Sequence, residues 1–337
     1  MMKTDLLHTT PHDITRAARL LREGQLVAFP TETVYGLGAN ALDEEAVRRV
    51  FEVKGRPKDN PMIVHVHTVL QARELMQDVP ALFAELTNEF WPGPLTLIVR
   101  HNAAVLDVVT AGLDTVALRM PDHAITRQLL QEAGVPVAAP SANISGRPSP
   151  TDARTVFDEL QGRIAAVLDG GECPVGIEST VLDLTSREPV ILRPGTVTRE
   201  DLEDVIQSRV HFVESYDGAP RSPGTKYRHY APRVPLHILP HDPDPASMDR
   251  ALRNAVAEQV RAGRRVGLLA PERWHDAGAA HFSSLHEGRA VDYARLLYAG
   301  LRTLDDCEVD VILCPAIEAV GVGYAVMNRL LKAGEEI

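Results

Sequence analysis

Lysine is scarce in this chain of 337 residues: of 35 Lys and Arg side chains only five are lysines, Lys3, Lys54, Lys58, Lys226 and Lys332. Cysteine is scarcer. Cys173, Cys307 and Cys314 are odd in number and show no Cys-x-x-Cys spacing, so neither a disulfide framework nor a zinc site is indicated. No apolar run approaches the ~18 residues of a membrane helix, and Met-Met-Lys-Thr-Asp leads into no apolar signal core, so a cytoplasmic chain without membrane contact is expected. No Gly-x-Gly-x-x-Gly and no Walker lysine motif occurs, which disfavours a dinucleotide or P-loop site. Net positive charge is lacking too: the formal −11 argues against a protein that holds nucleic acid by its overall field.

What is present describes an ordinary globular protein, 45% apolar and 24% charged, long enough for two domains with real cores. Helix and strand signals alternate up to residue 206. Asp13 can cap a helix through Leu21, stopped by Gly24. Residues 44–53 put Val47, Val50 and Phe51 on one helix face and deliver Lys54 at the C-terminal end. Further helices fit 69–76 and 81–90, and Trp91-Pro-Gly-Pro94 is a stiff turn feeding a strand at 95–100. Strands also fit 25–29, 62–66, 116–120, 135–140, 165–168, 180–184 and 190–193, and Thr198 with Asp201 forms a capping box for a helix to about Ile206. This predicts an α/β unit with a large mixed sheet. Beyond residue 235, strands at 236–239, 266–270 and 309–314 and helices at 246–261, 291–304 and 319–331 predict a smaller α/β domain with a parallel sheet.

Between them, 208–235 has little periodicity and carries five cations (Arg209, Arg221, Lys226, Arg228, Arg233) against two acids (Glu214, Asp217), a local +3. It reads as a plain linker or, from its density of Tyr, His and cations, as a lid.

Several segments carry the chemistry. Two of the five lysines fall in Lys54-Gly-Arg-Pro-Lys-Asp-Asn-Pro61. A lysine point charge and an arginine fork together can grip a polyphosphate; the plain reading is an exposed basic turn closing a helix, of little consequence for stability. Thr31-Glu-Thr33 and Tyr35-Gly-Leu-Gly38 follow a strand, where an α/β sheet holds its ligands, and the glycines suit a tight turn. Pro140-Ser-Ala-Asn143, Ser145-Gly and Ser149-Pro-Thr151 lead into a helix, either leaving N–H groups for an anion or acting as caps and turns. His65 and His67 share one side of a strand and could ligate a metal, but no third ligand is evident.

Taken in order, Pro-Thr-Glu-Thr-Val-Tyr-Gly-Leu-Gly (30–38), Lys-Gly-Arg-Pro (54–57), Trp-Pro-Gly-Pro-Leu-Thr (91–96), Arg-Met-Pro (119–121), Ser-Ala-Asn (141–143), Glu-Ser-Thr-Val (178–181) and Leu-Arg-Pro-Gly (192–195) closely resemble the YrdC-type family. The Ser-Pro-Gly…His-Tyr-Ala-Pro linker and the C-terminal Gly-Val-Gly-Tyr-Ala (321–325) extend the resemblance to its long, two-domain form, the threonylcarbamoyl-AMP synthases. The resemblance implies a YrdC-like catalytic domain over 14–207 with a large twisted mixed sheet, a linker or lid over 208–235, and a Rossmann-like parallel α/β domain over 236–337. It also implies a reaction of L-threonine, bicarbonate or CO2 and ATP, giving threonylcarbamoyl-adenylate and pyrophosphate. Separate threonylcarbamoyl-transfer proteins then modify position 37 of ANN-decoding tRNAs, with tRNA contact here weak or indirect.

The implied threonine pocket is Thr33, His65, Arg119, Ala139 and Ser179, with Ala139 limited to a backbone contact. The implied nucleotide contacts are Arg56, Asn60, Thr115, Ser141, Asn143, Ser149 and Arg193. The resemblance also implies Lys54 and Arg56 as the catalytic cations, with His229 and Tyr230 closing over the nucleotide. Mg²⁺ would enter with ATP, with no organic cofactor and no metal ligand assigned to the protein. The chemistry agrees, because a carbamate and a triphosphate repel unless cations bring them together. The same fold serves carbamoyl-transferring enzymes that mature hydrogenases, but their acylphosphatase and zinc-finger modules are absent. An RNA-binding module is the remaining alternative.

Overall fold

The computed structural model describes residues 3–213 and 230–337, so the middle of the linker or lid expected over 208–235, residues 214–229 with His229 included, lies outside the described residues. Two compact units emerge. The first holds the described residues up to Ser145, Ser149–Pro174, and Glu178 onward to 213; the second holds Gly146–Pro148, Val175–Ile177 and 230–337.

Strands of the first unit are β1 (Asp5–Leu7), β2 (Val27–Phe29), β3 (Gly36–Asn40), β4 (Ile63–His65), β5 (Leu95–Arg100), β6 (Thr115–Arg119), β7 (Val137–Ala138), β8 (Ala166–Leu168), β9 (Thr180–Asp183), β10 (Val190–Arg193) and β11 (His211–Phe212). They form one mixed sheet in the order β1-β8-β2-β3-β7-β4-β6-β5-β9-β10-β11. Its helices are α1 (Pro11–Arg22), α2 (Glu44–Lys54), α3 (Val69–Arg73), α4 (Phe83–Phe90), α5 (Asp107–Thr110), α6 (Ala124–Ala133), α7 (Ala153–Leu160) and α8 (Arg199–Ile206).

Local chemistry sets the helix ends, with one correction. Thr10, not Asp13, caps α1: its hydroxyl accepts from the Asp13 N–H, and Pro11 fits the first turn, where its missing N–H costs nothing. Asp43 caps α2, and Gly55 ends it in the left-handed conformation. The Thr198–Asp201 capping box of α8 is present as the sequence predicts.

The sheet's two faces are covered unequally, and this creates the site. One face is sealed by the main core, which takes Val47, Val50 and Phe51 of α2, Phe83 and Leu86 of α4, and Val156 and Leu160 of α7. On the other face, α1 and α6 bury Ile14, Leu21, Leu129 and Leu130 against Val27, Phe29 and Val137 of one half of the sheet. The remaining half carries only a small apolar floor: Ile63 of β4, Ala117 of β6, Ile98 of β5, Val181 of β9 and Leu192 of β10. Strand alternation puts His65 beside Ile63, and Thr115 and Arg119 on either side of Ala117, on this same face.

The tight turn expected at Tyr35-Gly-Leu-Gly38 is instead β3, paired antiparallel with β2. Glycine is needed there for close approach: a Cβ on Gly38 would lie 2.6 Å from the Phe29 ring and 2.9 Å from Val137.

The second unit is a parallel sheet in the order β14-β13-β15-β12-β16, from β12 (Leu236–Leu239), β13 (Val266–Ala270), β14 (His281–Ser284), β15 (Val311–Pro315) and β16 (Glu335–Glu336), with helices α9 (Pro245–Arg261), α10 (Ala290–Asp306) and α11 (Val322–Ala333). All residues of β13 and β15 are buried, which is why they read as unbroken apolar runs. Here Tyr230, in the left-handed region at φ 66°, stacks on Tyr298 at 5.2 Å, with the Arg329 guanidinium 5.8 Å from its ring. Among the described residues no helix is long and apolar enough to cross a membrane.

Candidate active site

The site begins at the Thr31-Glu-Thr33 loop leaving β2. The Thr31 hydroxyl accepts from the Thr33 and Val34 N–H groups at 3.1 and 3.2 Å, and donates to the Val34 carbonyl at 2.7 Å. Its single proton is then spent, so the Thr33 hydroxyl is the donor across their 2.8 Å contact. The same Thr33 oxygen accepts from Arg119 Nη1 at 3.0 Å. Arg119, at the end of β6, also donates from Nε to the Gly93 carbonyl at 3.2 Å. Its Nη2 lies 2.8 Å from a Glu32 carboxylate oxygen as an ion pair, but side by side rather than in line: neither Nη2 nor the carboxylate finds a hydrogen-bond partner.

His65 faces Arg119 in register across β4 and β6 and packs edge-on to Phe29 at 6.0 Å. Burial, reinforced by the Arg119 charge, pushes its pKa down to about 3, so the ring is neutral at physiological pH, and its Nδ1 has no partner. Burial pushes the nearby Cys173 thiol up to about 12, which leaves it protonated and inert as a nucleophile. His67 is turned to Gln71 at 2.9 Å.

Ser179 and Arg193 meet directly. Arg193 donates from Nε to the Ser179 carbonyl at 3.1 Å and from Nη2 to its hydroxyl at 3.0 Å, and that hydroxyl also contacts Thr96 at 2.8 Å. A β-bulge makes this possible: Ile191 opposes Leu182, but Arg193 opposes Val181, so the extra residue turns Arg193 onto the floor side of the sheet. Gly195 keeps the approach close, since a Cβ there would lie 2.3 Å from the Thr180 nitrogen.

Lys54 overturns the expectation of an exposed helix-end cation. It is 2% exposed, and its ammonium donates to the Ser141 carbonyl at 2.5 Å and to the Asn143 carbonyl. The Ser141 hydroxyl in turn bonds the Asn143 side chain. The lysine therefore braces the Pro140–Asn143 loop. Arg56 is half-buried and bonds the carbonyls of Asn60 and Pro61 at 3.2 and 2.7 Å. Ser149 donates to the buried Glu178 carboxylate at 2.6 Å. The helix N-terminus beyond Ser149 is not open to an anion, because Asp152 already caps α7 through the Thr155 N–H at 2.7 Å.

Thr115 stands at the opposite end of β6 from Arg119, roughly 13 Å away along the strand, and Asn60 lies in the loop that precedes β4. Asn60 is fully buried, with neither its amide oxygen nor its nitrogen partnered. The Ala139 N–H is committed to the Ile63 carbonyl at 2.9 Å, so a backbone contact at this position falls to its own carbonyl. Tyr230 is buried within the second unit. Glu32, Thr96 and Glu178 received no role from sequence reasoning, although each lies inside a quoted motif; only their burial among polar partners singles them out.

Comparison with known proteins agrees with this architecture. Residues 19–195 match the Sua5/YciO/YrdC family, described as "Telomere recombination", and 197–334 match the C-terminal domain of threonylcarbamoyl-AMP synthase. The threonylcarbamoyl-AMP synthase of Bacillus subtilis is 45% identical over 336 residues, 98% of this chain and 95% of the relative; that of Pyrococcus abyssi is 46% identical over 321 residues, 94% and 92%. The crystal structure of P. abyssi Sua5 complexed with L-threonine superposes with a TM-score of 0.92 at 42% identity, covering 100% of this chain and 99% of that one. The chain belongs to the Sua5/YciO/YrdC family and, over its whole length, to its two-domain threonylcarbamoyl-AMP synthases, enzymes that form an adenylate.

Proposed function

We propose that, in the cytoplasm, the chain condenses L-threonine, bicarbonate or CO2, and ATP into threonylcarbamoyl-AMP and pyrophosphate. The product supplies N6-threonylcarbamoyladenosine at position 37 of ANN-decoding tRNAs through separate transfer proteins. The observation that carries this reading is the placement of Arg119, Thr33 and His65 with the Ser179–Arg193 pair on one apolar floor, a set of buried polar groups suited to a small polar substrate. The solved relative with bound L-threonine supports the substrate.

Arg119 has Nε and one Nη1 hydrogen engaged by the protein, so its remaining Nη hydrogens would meet the threonine carboxylate end-on. Neutral His65 and the Ser179 and Thr33 hydroxyls would surround the substrate hydroxyl. The threonine ammonium gives up a proton and its nitrogen adds to CO2, a second proton leaving as the carbamate forms. A carbamate oxygen then bonds to the α-phosphorus as the bond to the α–β bridging oxygen breaks and pyrophosphate leaves, with Arg56 and Arg193 countering the charge. Lys54 acts at one remove, by holding the Ser141 and Asn143 loop that would meet the nucleotide. We assign Mg²⁺ to the incoming ATP; among the described residues no group of three or more His, Cys, Asp and Glu is placed to hold a metal ion. Detection of threonylcarbamoyl-AMP by mass spectrometry in a mixture of enzyme, MgATP, threonine and bicarbonate tests the reading; its absence rejects it.

A further inference from the structure

Glu32 stands out among the buried groups that the reaction as written does not use. It is 6% exposed, and both carboxylate oxygens are buried without a hydrogen-bond partner. Withdrawing a carboxylate from water without donors is costly, and a fold that only needed to fill the space could use an apolar side chain. The backbone leaves Glu32 little choice of position, because the Thr31 hydroxyl fixes the loop on its C-terminal side through the Thr33 and Val34 N–H groups.

Its charged neighbour is Arg119, 2.8 Å away but misaligned. Two opposite charges lie side by side here, each with unused hydrogen-bonding capacity. The Arg119 guanidinium is pinned from behind by Gly93 and Thr33, so it cannot swing to satisfy the carboxylate fully. Around the pair, His65 is neutral and the Cys173 thiol is protonated, so neither supplies a competing ionic partner. His123 is half-buried nearby, and its burial disfavours the imidazolium even though Glu32 and Asp122 favour it.

A zwitterion complements such a pair. Its carboxylate completes the guanidinium and its ammonium completes the carboxylate, both without rearranging the loop. We infer that Glu32 is the acceptor for the α-ammonium group of the amino-acid substrate, and that the Glu32–Arg119 pair selects an α-amino acid over a hydroxy acid or simple carboxylate. The inference rests on the threonine pocket proposed above.

The test is equilibrium binding to the full chain, wild type and Glu32→Gln, of L-threonine and of (R)-3-hydroxybutanoate, which keeps the carboxylate and hydroxyl but lacks the amine. Gln keeps the shape and removes the charge. Threonine affinity should fall about tenfold or more in the Gln variant, the loss of one charge-assisted hydrogen bond, while hydroxybutanoate affinity stays within about twofold. A Glu32→Asp variant, which keeps the charge on a shorter arm, should bind threonine more tightly than the Gln variant. Equal weakening of both ligands would mean that Glu32 only orients Arg119 and would overturn the inference, as would unchanged threonine binding or tighter binding by Gln than by Asp. Absence of threonine binding to the wild type is a separate outcome, which removes the pocket itself and the inference with it.

Discussion

Arg193 donates to both the carbonyl and the hydroxyl of Ser179, at 3.1 and 3.0 Å, and so ties a residue assigned to the nucleotide to one assigned to threonine. In the proposed function the two substrates' sites share a wall. Arg193→Lys should therefore disturb both, because an ammonium cannot replace the planar fork. Turnover should fall about 10²–10³-fold, the scale of one lost donor to a developing anion. Steady-state kinetics should show KM rising for threonine as well as for ATP; a rise for ATP alone would place Arg193 with the nucleotide only.

Lys54 and Arg56 should behave differently despite lying two residues apart. Lys54→Ala removes a buried ammonium that braces two carbonyls, leaving them unpaired, and should destabilise the first unit by about 2–5 kcal/mol. Arg56→Ala, at a half-buried position, should leave the denaturation midpoint nearly unchanged while turnover drops about 10²–10³-fold. Urea unfolding of both variants beside pyrophosphate-release assays checks this. An unaltered midpoint for Lys54→Ala would restore the exposed-turn reading.

That contrast marks where the sequence stops being legible. The helix delivering Lys54, the strand Leu95–Arg100 and the Thr198–Asp201 box could be read from periodicity and capping chemistry. Lys54's burial could not be read, because its partners are backbone carbonyls 87 and 89 residues away, which leave no mark in side-chain identity. β3 was hidden because its glycines are placed for close packing against Phe29, which reads like a turn. Arg193 faces the site only through a bulge that alternation cannot reveal. The short β1 and the polar, half-exposed β14 lack the apolar pattern that betrays buried strands.

His65 sets a pH dependence of stability. Its folded pKa, about 3, lies below the unfolded value near 6.5, so the unfolded chain binds the extra proton between these limits. Stability is therefore complete above about pH 6.5 and falls as pH drops toward 3, at up to about 1.4 kcal/mol per pH unit. From pH 6.5 to pH 5 this is a loss of about 2 kcal/mol. Denaturant titrations at pH 7.5 and pH 5 should show the His65→Gln variant losing less over that interval than the wild type; parallel losses would remove His65 as the cause.

Substrate choice should follow the hydroxyl. Serine, which keeps it and loses one methyl, should be used about 10–200-fold less efficiently than threonine. Valine, which offers no hydroxyl to the buried, unpartnered His65 Nδ1, should be rejected more strongly. Competition assays of kcat/KM decide this, and equal use of valine and threonine would refute the pocket.

The central claim is that this chain makes an adenylate from three substrates rather than binding one of them passively. Pyrophosphate release from ATP, measured with threonine and bicarbonate added singly and together, tests it most directly. Rapid release is predicted only when all three are present. Release independent of threonine, or none at all with only salt-sensitive tRNA binding remaining, would contradict the account.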